Sequence, residues 1–172
     1  MAYGYGSLKM TCFYDPSMQK SYMGIDPGAS GAIAVYDGDE LIIHDMPFYE
    51  IKKGKTMRKK VDFNRLCAII EQENPTHVYI ENVSAQFGNG AAAAFSFGWA
   101  CACVENAVIA AGAPYTYVTP QVWKKAMGCP ADKDAARQRA SQLMPQFAHN
   151  WDRKRDHNRA ESALLSLYGF NK

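Results

Sequence analysis

Hydrophobic and polar positions fall into short strand-like runs and helical stripes from residue 21 onward. Three strand-like runs, at residues 21–25, 31–36 and 40–44, are separated by the turn-forming segments DPGAS and DGD, which predicts two β-hairpins. Apolar residues at helical spacing predict an amphipathic helix over residues 62–73, with Asp62 as its cap and Pro75 as its stop. The first half of the chain is therefore predicted to be three strands followed by a helix.

The second half alternates strands with helices. The pattern predicts strands at 76–81 and 115–120, a long apolar helix at 91–111, short helices at 122–128 and 132–145, and a final helix at 158–168. This order predicts an α/β fold in which a mixed five-stranded sheet has helices on both faces. Residues 1–20 show neither the helical nor the strand period of hydrophobic positions. They are interpreted as an N-terminal extension that is a candidate for mobility, followed by a single domain at 21–172.

Composition narrows the class of protein. The 172 residues are 48% hydrophobic with a net charge of +2, which fits one globular domain and predicts no partner by charge alone. Five cysteines without CxxC spacing or a signal peptide argue against disulfides and zinc, and predict an intracellular, cytoplasmic protein. The helix at 91–111 contains Glu105 and Asn106, which favours a buried or interfacial helix over a membrane span. No membrane role is expected.

Three carboxylates stand at positions that suggest a shared site. Asp26 ends the first strand, Glu81 ends the fourth, and Glu161 lies beside the apolar stripe of the last helix. Taken singly, Asp26 fits an Asx-turn and Glu81 a cap, both structural roles. If the three converge, their repulsion requires divalent cations, and oxygen ligands favour Mg²⁺ or Mn²⁺. Such a cluster matches phosphodiester hydrolysis with two metal ions.

A fourth site residue precedes Glu161, and three side chains compete for it. His157 and Asn158 are four and three residues before Glu161, so both share its helical face, whereas Asp156 at five does not. The choice among the three stays open.

Basic residues surround these acids along the chain. Residues 51–60 are predicted to be a polar loop with six positive charges, and such blocks either contact phosphates or are simply solvated. The candidate DNA-binding cations are Lys52, Lys53, Lys55, Arg58, Lys59, Lys60, Lys124, Lys125, Lys133, Arg153, Lys154 and Arg155. Phe87, between Gly88 and the preceding polar residues, is either a core anchor or an exposed wedge that enters a distorted base step. The charge pattern is that of a nuclease.

Four motifs in order resemble those of RuvC-type Holliday-junction resolvases, especially the short bacteriophage forms: GIDPGASGAIAVYD, VYIENVSAQFGNGAAAAFSFGWA, VTPQVWKKAMG and DHNRAESALLSLYG. The resemblance spans residues 22–169. It implies a ribonuclease-H-like fold, a homodimer, and symmetric Mg²⁺-dependent nicking of four-way DNA junctions in recombination and repair.

The resemblance also assigns roles to residues. It implies that Asp26, Glu81 and Glu161 bind metal, with His157 as the best fit for the fourth position. Lys124, Lys125 and Lys133 resemble family lysines that approach the scissile phosphate, with Lys125 taken as the catalytic one. Phe87 falls in the loop where the family keeps a junction-probing aromatic.

Two segments depart from the family pattern, and two other functions compete with the resolvase. The extension before residue 22 and the basic segment at 52–60 are not part of the cellular enzymes' pattern, so the substrates are expected to extend to other branched DNAs.

One alternative function is a catalytically silent junction-binding module. The other is an ATP-binding domain of the actin and sugar-kinase type, which needs a second phosphate loop that this chain lacks.

A four-way junction has two-fold symmetry, which favours a dimer in which the helix at 91–111 forms part of the interface.

Overall fold

The structure is a computed structural model that describes residues 19–54, 56–83, 90–130 and 133–172. The strands and helices of these residues are β1 (Tyr22–Ile25), β2 (Ala32–Tyr36), β3 (Leu41–Asp45), β4 (Phe48–Lys53), β5 (Thr56–Val61), α1 (Phe63–Glu73), β6 (His77–Glu81), α2 (Ala91–Ala110), β7 (Tyr115–Val118), α3 (Pro120–Met127), α4 (Lys133–Leu143) and α5 (His157–Phe170). Short 3₁₀ turns at Pro145–Trp151 and Lys154–Asp156 join α4 to α5.

The main sheet has five strands in the order β3-β2-β1-β6-β7. β1 pairs antiparallel with β2 and parallel with β6, and β6 pairs parallel with β7. The predicted mixed five-stranded sheet is therefore confirmed. Asp62 caps α1 as predicted, because its side chain accepts a hydrogen bond from the Arg65 amide.

Helices cover both faces of this sheet, as the sequence predicted. On one face, α3, α4 and α5 bury a core that includes Trp123, Leu164 and the fully buried Trp151. On the other face, α1 and α2 pack over Ile25 and Ile80 from the two central strands. Side chains alternate between faces along a strand. The residue that follows Ile25 and the one that follows Ile80 therefore both point towards α5.

The backbone of helix α5 packs directly against the backbone of the central strand β1. A β-carbon built at Gly24 would lie 2.4 Å from the Ser162 carbonyl oxygen and 2.6 Å from the Ser166 nitrogen, so only glycine fits there. The buried Ser162 hydroxyl donates to the Ala32 carbonyl at 2.8 Å, which fixes the helix along β2. Glu161 is the neighbour of Ser162, so these contacts set its height above the sheet.

The prediction of a polar loop at residues 51–60 is wrong. β4 and β5 form a separate two-stranded antiparallel hairpin in which Ile51 pairs with Arg58 and Tyr49 with Lys60. Gly54 follows β4 with a φ of +63°, a conformation that glycine adopts without strain. Lysine and arginine have long aliphatic stems that allow them to line a strand while their charges stay in water.

Helix α2 is largely unpacked at its N-terminal end. Phe95 and Trp99 are 71% and 49% exposed, and the buried positions of the helix begin at Ala100. By length and composition alone α2 could cross a membrane, but one such helix is weak evidence because core helices of soluble proteins pass the same test. The expectation of an interfacial helix stays a prediction.

Candidate active site

Asp26 and Glu81 are brought side by side by the register of two parallel strands. Ile25 of β1 pairs with Ile80 of β6. The residues that follow them, Asp26 and Glu81, are therefore neighbours across the two strands. Neighbouring strands lie about 4.8 Å apart. The Gly28 amide also donates to Asp26 Oδ1 at 3.3 Å, so Asp26 forms the Asx-turn that its sequence position suggested.

Glu81 is a buried carboxylate that accepts a hydrogen bond from a tryptophan. The indole N–H of Trp123, on α3, donates to Glu81 Oε1 at 2.9 Å. Burial raises the pKa of Glu81 to about 7, the Trp123 hydrogen bond opposes this, and the charges of Asp26 and Glu161 add to the rise while Lys124 reduces it. The charges of Asp26 and Glu161 are therefore close enough to Glu81 to raise its pKa.

Glu161 reaches the site from α5 and is paired with a lysine. Lys124 Nζ lies 2.7 Å from Glu161 Oε1, and both side chains are mostly buried. Burial lowers the pKa of Lys124, but Glu161 and Glu81 together raise it above its ordinary value. Lys125, predicted to be the catalytic lysine, is exposed at the next position of α3. The structure therefore places Lys124, and not Lys125, against the acids.

The site offers oxygen donors that fit a hard divalent cation. Among the described residues, no three His, Cys, Asp or Glu side chains are grouped closely enough to hold a metal ion as they stand. The Lys124 ammonium instead provides the positive charge beside Glu161. Carboxylate oxygens are the ligand type that Mg²⁺ and Mn²⁺ prefer, so Asp26, Glu81 and Glu161 would hold such an ion only after their side chains move closer together.

The three candidates for the fourth position have different surroundings. Asp156 is buried and accepts two hydrogen bonds from the Arg153 guanidinium, at 2.8 and 2.9 Å, and Arg153 lowers its pKa. The Asn158 amide donates to the Ser30 carbonyl at 2.6 Å. His157 begins α5, one turn before Glu161, and its Nδ1 lies 3.3 Å from the Lys154 carbonyl. Asp156 and Asn158 thus have structural partners, and the Nε2 atom of His157 keeps it a candidate.

Most of the predicted DNA-binding cations lie on the hairpin or before α5. Lys59 Nζ lies 3.9 Å from the centre of the Phe48 ring, and Lys60 Nζ lies 3.9 Å from that of Trp99. Lys52 and Arg58 are exposed on the same hairpin, and Lys154 and Arg155 are exposed before α5. Arg153 is held by Asp156. Lys53 ends β4 and Lys133 begins α4, while Lys55 and Phe87 lie outside the described residues, so the predictions for these four stay untested.

Two contributors to the site escaped sequence reasoning. The sequence motifs gave no role to Trp123, although a tryptophan in a short helix directly after a strand indicates a buried anchor. Arg159 binds Asp45 at the end of β3 through both carboxylate oxygens, which ties α5 to the edge strand. The pair is separated by 114 residues, so no local pattern predicts it.

The fold matches solved structures of junction-resolving enzymes. RuvC of Thermus thermophilus in complex with Holliday junction substrate aligns with a TM-score of 0.60 at 16% identity, over 88% of this chain and 95% of RuvC. The chain has the RuvC fold. A second structure of T. thermophilus RuvC aligns over the same shares with a TM-score of 0.55 at 16% identity. The yeast mitochondrial Holliday junction resolvase Ydc2 gives 0.51 at 14% identity, over 87% of this chain and 77% of Ydc2. No protein-family model and no curated protein matches the chain.

Proposed function

We propose that this chain is a metal-dependent endonuclease that resolves four-way DNA junctions by paired cuts. The observation that supports this most strongly is the position of Asp26 and Glu81 at the ends of two paired parallel strands of a RuvC-like sheet, with Glu161 close enough to add to the raised pKa of Glu81. RuvC with the same fold was solved on a Holliday junction substrate. That likeness supports the substrate class for this chain.

Mg²⁺ is the proposed cofactor, with Mn²⁺ able to replace it, and Asp26, Glu81 and Glu161 would hold it. Two bound ions would offset the charge of the phosphodiester and lower the pKa of the attacking water. His157 is the proposed fourth residue of the site. Trp123 orients the Glu81 carboxylate through its indole N–H, which binds one of the two carboxylate oxygens.

Lys124 is the proposed catalytic lysine, in place of Lys125. Its ammonium lies at the acid cluster and is kept protonated by Glu161 and Glu81. With a divalent cation bound by these carboxylates, Lys124 would be free to face the phosphate, where a positive charge stabilises the transition state. Lys125 and the cations before α5 then contribute to DNA binding from the surface.

The proposed assembly is a homodimer, because symmetric resolution of a two-fold junction needs two sites in a fixed relation. The apolar, exposed residues of α2, such as Ile109 at 53% exposure, favour this helix as part of the contact between the two copies. We also propose that other branched DNAs are substrates and that the protein acts in the cytoplasm, encoded by either a bacteriophage or a cell. A silent junction-binding module is the alternative function.

The test is an incubation of the purified chain with a mobile four-way junction and Mg²⁺. We expect paired nicks at symmetric positions in opposing strands, and no nicks when EDTA replaces Mg²⁺. Flap and fork substrates of matched sequence measure the breadth of cleavage, and a linear duplex serves as the control. Junction binding without any cleavage in Mg²⁺ or Mn²⁺ would support the silent module and refute the nuclease.

A further inference from the structure

A cavity between the β4–β5 hairpin and the exposed half of α2 has no part in the acid site. It encloses about 510 Å³, within the range of about 300–1,000 Å³ that is typical of small-ligand sites. Its walls are mainly apolar, with Ile51 from the hairpin and Phe95 and Trp99 from the helix. Phe95 and Trp99 are among the exposed large hydrophobic side chains of the described residues, so the wall is open to a ligand.

The rim of the cavity is positively charged. Arg58 and Lys60 belong to the hairpin face that also presents Ile51, because paired residues of an antiparallel ladder share a face. Lys59 also lines the cavity. Three consecutive cations beside an apolar aromatic wall favour a ligand with a flat apolar part and an anionic chain.

The cavity adjoins the acid site. Ala29, which lines it, is three residues after Asp26 in the turn that follows β1. Ala100, which also lines it, precedes Cys101, whose pKa is raised by burial and by the charge of Asp26. The cavity therefore lies close enough to Asp26 for one nucleic acid to contact both.

We propose that the cavity binds an unpaired nucleobase of the DNA, with Trp99 as its stacking partner and Arg58 and Lys60 on the flanking phosphates. This inference rests on the proposed DNA substrate and adds a second recognition site to it. Stacking of a base on an aromatic side chain contributes about 1–3 kcal/mol and tolerates any sequence. Lys60, which lies against the Trp99 ring, moves to a phosphate when the base enters.

The test compares two single strands of about a dozen nucleotides, oligodeoxythymidine and an abasic strand of equal length, because both carry the same phosphates. Affinities are measured in EDTA by fluorescence anisotropy, so nuclease activity has no influence on the result. We expect the wild-type chain to bind the thymidine strand about tenfold more tightly, as one stacked base implies. Trp99→Ala should bring this ratio close to one, and Trp99→Phe should keep most of it.

Met57→Ala is the matched control, because Met57 is 57% exposed and lies on the opposite face of the same hairpin. It should leave the ratio unchanged. An equal affinity of the wild type for both strands, or an unchanged ratio in Trp99→Ala, would overturn the proposal. Sedimentation that shows Trp99→Ala as a monomer and the wild type as a dimer would assign the surface to a second copy and also overturn it. A base preference in a chain that never cleaves junctions would support this inference while the nuclease proposal fails.

Discussion

Asp26→Asn and Glu161→Gln should each reduce junction cleavage about a thousandfold or more while junction binding is kept. Each substitution removes a negative charge from the donor set, and the loss of several kcal/mol of charge stabilisation corresponds to this factor at about 1.4 kcal/mol per tenfold. Binding measured in EDTA should be equal or tighter, because fewer carboxylates repel the phosphates. Cleavage is followed under single-turnover conditions with a mobile junction and Mg²⁺.

Glu71→Gln is the control for this pair, because Glu71 is an exposed glutamate on α1. It should cleave like the wild type. Wild-type rates in both acid variants would mean that the carboxylates serve only the turn after β1 and the start of α5. Loss of binding together with cleavage would indicate a folding defect, which circular dichroism would detect.

Glu81→Gln should stabilise the metal-free protein at pH 8. Burial raises the pKa of Glu81 from 4.5 to about 7, so its ionised form is less favourable in the folded state than in the unfolded chain. The unfavourable contribution is absent below pH 4.5, grows as pH rises from 4.5 to about 7, and is complete above that. At about 1.4 kcal/mol per pKa unit, the gain in free energy of unfolding is about 3 kcal/mol. Glutamine keeps an oxygen that can accept the Trp123 N–H.

When Mg²⁺ is added, the wild type should become more stable than Glu81→Gln. A cation that binds only the folded state stabilises the wild type by mass action, and the variant has lost one ligand. Denaturant unfolding at pH 8 and pH 5, each with EDTA or Mg²⁺, measures both effects, and Glu71→Gln again serves as the control. A Glu81→Gln protein that is less stable than the wild type in EDTA, or equally stabilised by Mg²⁺, would contradict this account of the site.

The positions of Asp26 and Glu81 were predictable because they depend on local patterns. Each acid ends an apolar strand-like run, and parallel neighbouring strands place such ends together. Glu161 was predictable from the apolar stripe of its helix. The depth at which α5 sits on the sheet was not, because it depends on the missing side chain of Gly24 and on a contact with Ser162 far along the chain.

The choice between Lys124 and Lys125 shows where sequence reasoning stops. Adjacent helical residues point about 100° apart, so the helix phase decides which lysine meets the acids. That phase is set by the burial of Trp123 against Glu81, a contact across 42 residues. Likewise, the pairing of Asp156 with Arg153 depends on a 3₁₀ turn that the pattern did not predict.

The β4–β5 hairpin was not predicted because its many charged residues obscure the alternation of apolar and polar positions along the two strands. Lys59 and Lys60 are adjacent, yet they lie on opposite faces, against Phe48 and Trp99 respectively. Two cations in sequence read as a solvated block, although each stem packs on a different ring. The aromatic partner of Lys60 comes from a helix 39 residues later in the sequence, beyond the reach of any local pattern.

The most direct test of the acid cluster is anomalous X-ray diffraction from crystals grown with Mn²⁺. We expect anomalous density between Asp26, Glu81 and Glu161, with carboxylate oxygens at about 2.1–2.2 Å from the ion, close to the octahedral distances of Mg²⁺, and with Lys124 withdrawn from Glu161. Crystals in saturating Mn²⁺ that show no density at these three residues, with the Lys124–Glu161 pair intact, would contradict the claim that they form a metal centre.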